Sequence, residues 1–205
     1  MSNPFDFFEE IFCINLDRRK DRWVESLKEF DKVGITERVR RFSGFESEIG
    51  WEGCSRSHRF VWELAREWGL KNVLIFEDDV QFKPNAEENL RNSLSQLNSW
   101  DWLFLGCNLI NGAKRVSEFL IKPNGAFALH AYAINMQVFS NHTVYADLHD
   151  SNRVDVCVNH GVVKNKDIKC YATYPMIATQ RPSMSDIENW NADYSHMDRS
   201  YDNIQ

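Results

Sequence analysis

Three consecutive acids, Glu77, Asp78 and Asp79, follow directly on the apolar run Val73-Leu74-Ile75-Phe76. An uninterrupted apolar run with β-branched members reads as a buried strand of the parallel type, and the carboxyl end of such a strand is where open α/β sheets bind ligands. If the chain stays extended through the acids, Glu77 and Asp79 share one face and Asp78 takes the other. Two carboxylates on one face suit a hard divalent cation such as Mn²⁺ or Mg²⁺, whose remaining positions phosphate oxygens commonly fill. A diphosphate substrate is the natural expectation. The competing reading is an acidic turn that caps the next helix and meets only water. A second concentration of charge, Arg18, Arg19, Lys20 and Arg22, stands just after a short strand-like run at residues 11–16. Guanidinium groups at a strand end and a helix N-terminus make an anion site, and the same charges also suit a solvated helix face.

The elements that must position these groups follow from periodicity. Residues 11–16 read as a first strand and Asp17 as a cap. Trp23, Leu27 and Phe30 then form the apolar stripe of a helix that Gly34 stops. Residues 37–42 suggest a second strand, followed by a long polar connection containing Gly44, Gly50 and Gly53, of the kind that faces substrates. Ser55 stands where it would cap a helix carrying Val61, Leu64, Ala65 and Trp68, with His58 in the first turn as a structural hydrogen-bond partner. After the acids, Asn85-Ala86-Glu87-Glu88 resembles a capping box, and Leu90, Leu94 and Leu97 line the next helix. Strand-like runs recur at residues 100–106 and 127–134, with Asn111-Gly112 between them as a hairpin signal. Residues 136–145 suggest a short helix. Val154, Cys157 and Val158 suggest another, preceded by the acids Asp147, Asp150 and Asp155, and residues 168–174 return to the sheet. From Gln180 onward the chain is polar and is expected to hug the surface or to be flexible. Strands alternating with helices predict an α/β domain at residues 1–188 and a polar tail at 189–205.

At 205 residues with 14 Phe, 7 Trp and 6 Tyr, the chain is long enough for one core that buries about 70% of its unfolded surface. A formal charge of −6 opposes binding to nucleic acid or to an anionic membrane. The five cysteines are odd in number, scattered and without a Cys-x-x-Cys pair. They predict buried thiols in a reducing, cytoplasmic compartment rather than a disulfide framework or a zinc site. No basic segment precedes an apolar one at the N-terminus, and no apolar run approaches 18 residues. Neither a signal peptide nor a membrane span is expected.

Several short segments then occur in a consistent order. They are Ile14-Asn15-Leu16-Asp17-Arg18-Arg19-Lys20-Asp21-Arg22, Gly53-Cys54-Ser55-Arg56-Ser57-His58, Phe76-Glu77-Asp78-Asp79, His130-Ala131-Tyr132-Ala133-Ile134-Asn135, Val154-Asp155-Val156, and Pro175-Met176-Ile177-Ala178-Thr179-Gln180 with Ser185-Asp186-Ile187. Together they resemble glycosyltransferase family 25, which includes bacterial lipopolysaccharide-type and procollagen galactosyltransferases. Two departures stand out. Leu129-His130 replaces the family's Gly-Thr before the Tyr132 segment, and the chain is short for a dedicated acceptor domain.

The resemblance implies a GT-A-type nucleotide-diphosphate-sugar-binding fold, a mixed, mostly parallel sheet flanked by helices. It also implies transfer of galactose or glucose from a UDP-hexose to a glycan or glycoprotein hydroxyl with inversion, aided by Mn²⁺ or Mg²⁺. On this reading Asp79 and Glu77 hold the metal, and Arg18 or Arg19 contacts the diphosphate. Asn15 and Leu16 line the nucleoside site, and Asp78 holds the ribose or orients its neighbours. Asp155 is the candidate base, with a helix cap or a further metal ligand as alternatives, and Asp150 and Asp186 stand in reserve. Trp51, Trp190 and Tyr194 could stack on a sugar or simply pack. Two readings from other classes stay open. One is a nucleotide-sugar or carbohydrate binding module without turnover. The other is a metal-dependent phosphohydrolase, disfavoured because no His/Asp cluster at metal-ligand spacing accompanies the acids.

Overall fold

The computed structural model describes residues 2–139, 153–184, 186, 190–202 and 204. Strand β1 (Glu10–Asn15) leads through helix α1 (Lys20–Lys32) to β2 (Val39–Ser43), and α2 (Gly50–Glu67) leads back to β3 (Asn72–Glu77). Next come β4 (Val80–Phe82), α3 (Ala86–Ser95), β5 (Trp102–Leu109), β6 (Ala113–Arg115), β7 (Leu120–Pro123), β8 (Ala126–Asn135) and the short α4 (Met136–Phe139). The last elements are α5 (Val154–Val158), β9 (Cys170–Thr173), β10 (Ala178–Gln180), β11 (Ser183–Met184), β12 (Asn191–Ala192) and α6 (His196–Ser200).

Eight strands form one sheet in the order β2-β1-β3-β8-β5-β9-β7-β6. Only β8 and β7 run against the rest. This is the mixed, mostly parallel α/β architecture flanked by helices that the resemblance implies. Alternation along the strands divides the interior in two. Val73, Ile75, Trp102, Phe104 and Tyr132 pack toward Val61, Trp62 and Ala65 of α2. Leu74, Phe76, Leu103 and Leu105 pack toward Phe30 of α1 and Leu90 of α3. Cover on both faces explains why residues 73–76 are apolar without interruption. It also puts α1 and α2 on opposite faces. Since β1 lies between β2 and β3 and is parallel to both, the crevice beyond its carboxyl end is a topological switch point.

Several local expectations change. The second strand begins at Val39, after a 3₁₀ turn at Thr36–Arg38. Asp17 caps nothing, because its carboxylate accepts from Arg41 Nη2 (2.7 Å) and Ser43 Oγ (2.7 Å). Asn85 takes a left-handed φ of 61° and its side chain makes no cap bond. Helix α2 starts at Gly50 rather than at Ser55, whose Oγ instead accepts from Val154 N at 3.0 Å and so anchors the start of α5. Asn111 and Gly112 both have positive φ, but they turn a corner between β5 and β6; the hairpin itself joins β6 to β7. The polar C-terminal stretch carries two buried anchors, Met197 and Tyr201, and Ser200 Oγ accepts from Leu109 N at 3.1 Å. Of the helix expected at residues 136–145 only Met136–Phe139 is described. Asp147 and Asp150 lie outside the described residues. Among the described residues no helix is long and apolar enough to cross a membrane.

Strand β10 crosses β5 so closely that only glycine fits at residue 106. A Cβ there would stand 1.8 Å from Ala178 O and 2.8 Å from His130 Nε2. Gly106→Ala is therefore expected to lower stability by about 1–3 kcal/mol, the usual penalty of overpacking. Urea denaturation checks this, and an unchanged midpoint would mean that β10 shifts without cost.

Candidate functional site

The carboxyl ends of β1 and β3 lie side by side, with Ile14 opposite Glu77. Strand β3 ends at Glu77, and Asp78-Asp79 form a turn before β4. Strand alternation therefore does not extend through the acids, and the expected split between Glu77 with Asp79 and Asp78 alone is replaced by another. Asp78 and Asp79 both turn to Arg22 of α1, through Nη1–Oδ1 (2.9 Å) and Nη2–Oδ2 (2.7 Å). Glu77 turns to α2, where His58 Nε2 lies 3.0 Å from its Oε1. Two adjacent carboxylates taken out of water need a cation close by, and a bidentate guanidinium supplies it.

Asn15 is buried beneath this turn. Its Nδ2 donates to Asp78 Oδ2 (2.6 Å) and Arg19 O (3.0 Å), and its Oδ1 accepts from Arg41 Nε (2.8 Å). Ser26 Oγ donates to Asp78 O at 2.8 Å. Arg18 Nη1 meets Asp186 Oδ1 at 2.7 Å, Arg19 pairs with the other oxygen, and Arg22 Nη1 is 3.8 Å from it. A protein carboxylate thus sits among three guanidinium groups.

Burial dominates the electrostatics. It pushes the Asp78 carboxyl up to about 6 against the pull of Arg22, and raises Asp79 in the same way. Burial also acts on Glu77 as the largest single effect, but the hydrogen bond from His58 together with the positive charge around it, Arg22 included, outweighs it and holds that carboxyl below its ordinary value. For Arg22, burial is outweighed by Asp79 and Asp78, so its guanidinium is held more firmly charged. Two oxygens remain over. Asp79 Oδ1 and Gln180 Oε1 are buried and have no hydrogen-bond partner among the described residues. Gln180 Nε2 donates to Asp79 Oδ2 at 3.2 Å.

Two cavities open at this place. The smaller, of about 120 Å³, is lined by Leu16, Arg18, Glu77, Asp78, Asp79 and Asp186. The larger, of about 420 Å³, is lined by Trp51, Asp155, Trp190, Asp193 and His196 among others. Cys54, Glu77, Gln180 and Tyr194 border both. The structure thus brings Leu16, Arg18 and the three acids together and sets Asp155, its carboxyl raised by burial, in the adjoining space. Asn15 and Arg19 line neither cavity; they brace residues that do. The Gly-Cys-x-x-Ser-His segment is structural fastening. A Cβ at Gly53 would stand 2.4 Å from Phe45 O, and Ser57 Oγ accepts from Phe45 N (2.8 Å) while donating to Gly53 O (2.7 Å). The segment also gathers Cys54, His58 and Glu77, whose donor atoms lie within 4.8 Å of one another. Sequence reading missed the roles of Arg22 and Gln180. Arg22 was visible only as one cation among four, and nothing local marks Gln180, which the β10–β4 pairing brings to Asp79.

The family model described as "Glycosyltransferase family 25 (LPS biosynthesis protein)" matches residues 46–141, which include α2, the acids and β8. Over that stretch the chain resembles glycosyltransferase family 25. A Drosophila melanogaster glycosyltransferase 25 family member is 32% identical over 127 residues, covering 48% of this chain and 21% of the relative. The human "Inactive glycosyltransferase 25 family member 3" is 29% identical over 140 residues, covering 54% of this chain and 24% of the relative. The "Putative glycosyltransferase R655" of Acanthamoeba polyphaga mimivirus is 30% identical over 125 residues, covering 50% of this chain and 38% of the relative. The chain thus spans between about a fifth and two fifths of the length of these family 25 and related proteins. Among solved structures, A197 from STIV superposes over 90% of this chain and 94% of its own, with a TM-score of 0.52 at 11% identity, a likeness of fold. The basic turn at residues 15–22 and Asp155 both lie outside the family match, so their placement beside the family's acids rests on the fold.

Removing one partner of a buried ion pair typically costs about 3–5 kcal/mol. Arg22→Met is expected to lower stability by about that amount in chelator-treated buffer, measured by denaturant unfolding, and a loss under 1 kcal/mol would show that Asp78 and Asp79 do not depend on it. The sign of the pH effect follows from Asp78. Its folded carboxyl titrates near 6, above the ordinary 3.8, so the folded chain binds the proton more tightly. Its contribution to stability is therefore full below about pH 4 and is lost as pH rises through 6. Thermal melts across that window should show a shallower decline in Asp78→Asn than in the parent.

Proposed function

We propose that this chain is a metal-dependent glycosyltransferase that moves a hexose, galactose or glucose, from a UDP-sugar to a hydroxyl of a glycan or glycoprotein, with inversion. The observation that carries the reading is the pair of orphaned buried oxygens, Asp79 Oδ1 and Gln180 Oε1, on two residues that line the smaller cavity, Gln180 bordering the larger one as well, beside an arginine-rich turn. Such oxygens suit a hard cation, Mn²⁺ or Mg²⁺, held by Asp79, Glu77 and Gln180. When bound, the ion supplies positive charge against the diphosphate.

The chain's own residues divide the work. In the smaller cavity Leu16 meets the nucleoside, Arg18 meets the diphosphate, and Asp78 is held rigid by Arg22 and Asn15 so that it orients its neighbours. Arg19 contributes by drawing Asp186 and sharing its charge with the same anion site. The acceptor enters the larger cavity, where Trp51, Trp190 and Tyr194 offer faces for a sugar ring. Asp155 takes the proton of the acceptor hydroxyl as that oxygen bonds to the anomeric carbon. The bond from that carbon to the diphosphate breaks, and its electron pair leaves on the diphosphate oxygen beside Arg18. A carboxyl raised by burial is a better base than one in water. With this reading goes a reducing, cytoplasmic compartment, supported by the buried thiols of Cys13, Cys107 and Cys170.

A second reading, a nucleotide-sugar binding module without turnover, has a specific observation in its favour. Arg22 already pairs with both Asp78 and Asp79 from within the protein, and the human relative is named inactive. Measuring thermal stabilisation by UDP-sugars with Mn²⁺, alongside UDP release, separates the two. Stabilisation with UDP release supports the transferase; stabilisation without release across an acceptor panel supports the module; inorganic phosphate as product overturns both. Asp79→Ala should remove Mn²⁺-dependent donor binding, while Asp155→Asn should spare it and stop transfer. Because Asp186 competes for the arginines, Asp186→Asn should tighten UDP binding by up to about 5-fold, the scale of a partly exposed ion pair. Calorimetric titration reads this, and weaker binding would make Asp186 part of the donor site.

A further inference from the structure

The geometry points to a proton-ordered relay, Trp62–Tyr132–His58–Glu77, in which His58 and Tyr132 are positioning residues that fix which oxygen of Glu77 faces the cavities. Trp62 Nε1 lies 2.8 Å from Tyr132 Oη, His58 Nδ1 lies 2.8 Å from the same oxygen, and His58 Nε2 lies 3.0 Å from Glu77 Oε1. Trp62, Tyr132 and His58 are all 0% exposed. The direction of every bond then follows from the chemistry of the groups. An indole N–H can only donate, so Tyr132 Oη accepts from Trp62. The single tyrosine proton has one remaining partner, His58 Nδ1, which must therefore accept. The imidazole proton is left on Nε2 and is donated to Glu77. Any other arrangement strands a buried proton or sets a ring lone pair against a carboxylate, at the usual cost of an unmet buried polar group.

Two consequences follow. Glu77 Oε1 is committed to the protein, so Oε2 is the oxygen available to a cation. Cys54, His58 and Glu77, close as they are, do not form a three-ligand set while His58 Nε2 carries a proton. The relay is anchored from behind: the Tyr132 ring stacks on Trp102 at 4.6 Å and 2°, and Trp62 meets Trp102 edge-on at 5.9 Å. The core thus fixes the orientation of a ligand at the mouth of the site.

That Glu77 meets a cation rests on the proposed function, whereas the proton order does not, and the test separates them. Nitrogen-15 histidine spectra of the whole protein, with His58 assigned by its loss in His58→Gln, are expected to show a neutral ring protonated at Nε2. A ring protonated at Nδ1, or at both nitrogens, overturns the relay. Mn²⁺ titration then reads the positioning. His58→Leu should weaken Mn²⁺ binding by about 10–100-fold, as loss of a residue supporting a metal ligand does. His58→Gln, which retains an N–H for Glu77, should recover most of it. Equal weakening in both folded variants, or none in either, overturns the positioning role. If the parent protein binds no Mn²⁺ at all, the metal-dependent function fails while the spectra still decide the relay.

Discussion

The structure depends on one electrostatic constraint. Asp78 and Asp79 lie almost out of water at the end of the central strand, and Arg22 from the opposite strand connection is the cation that makes this tolerable. Burying two like charges side by side would force a proton onto one of them, and a bidentate guanidinium removes much of that need. The pairing also locks the first helix to the acidic turn, and both line the smaller cavity. Asn15 and Ser26 then tie the same turn to the first strand and helix.

The compensation is incomplete. Arg22 satisfies one oxygen of each aspartate and Asn15 another of Asp78, but Asp79 Oδ1 and Gln180 Oε1 are left without a partner among the described residues. Unmet buried oxygens are uncommon in folded proteins. Glu77 shows a parallel division, with one oxygen held by His58 while the residue borders both cavities. Nitrogens are left over as well: Arg22 Nε, His130 Nδ1 and Arg181 Nη1 are buried without a hydrogen-bond partner among the described residues. Burial of so many polar groups sets the region apart from a solvated loop.

The strands were legible because sheet alternation and double-sided cover leave direct marks on a sequence. Residues 73–76 are all apolar, and they are divided between two cores. Helix starts were less legible. Asp17, Ser55 and Asn85 have the residue types of caps, yet Asp17 is drawn to Arg41, Ser55 to the backbone of Val154, and Asn85 to a left-handed turn. A short polar side chain takes the partner that the fold brings within reach, and local spacing does not reveal partners 24 or 99 residues away. Within the polar C-terminal stretch, Met197 and Tyr201 are buried, contacts that its composition does not announce.

By itself, the sequence determined the order of the main strands and helices, the position of the acids at the end of a buried strand, and the family that the motifs resemble. These are properties of periodicity and of residue type at short range. Only the tertiary structure decided how the acids are shared out, with Glu77 going to His58 and Asp78 and Asp79 to Arg22, and that Gln180 and Asp186 close the site from the far end of the chain. The reason is physical: which charge a buried carboxylate meets is set by the packing of α1 and α2 on opposite faces of the sheet, and that packing is a sum over long-range apolar contacts that no single motif records.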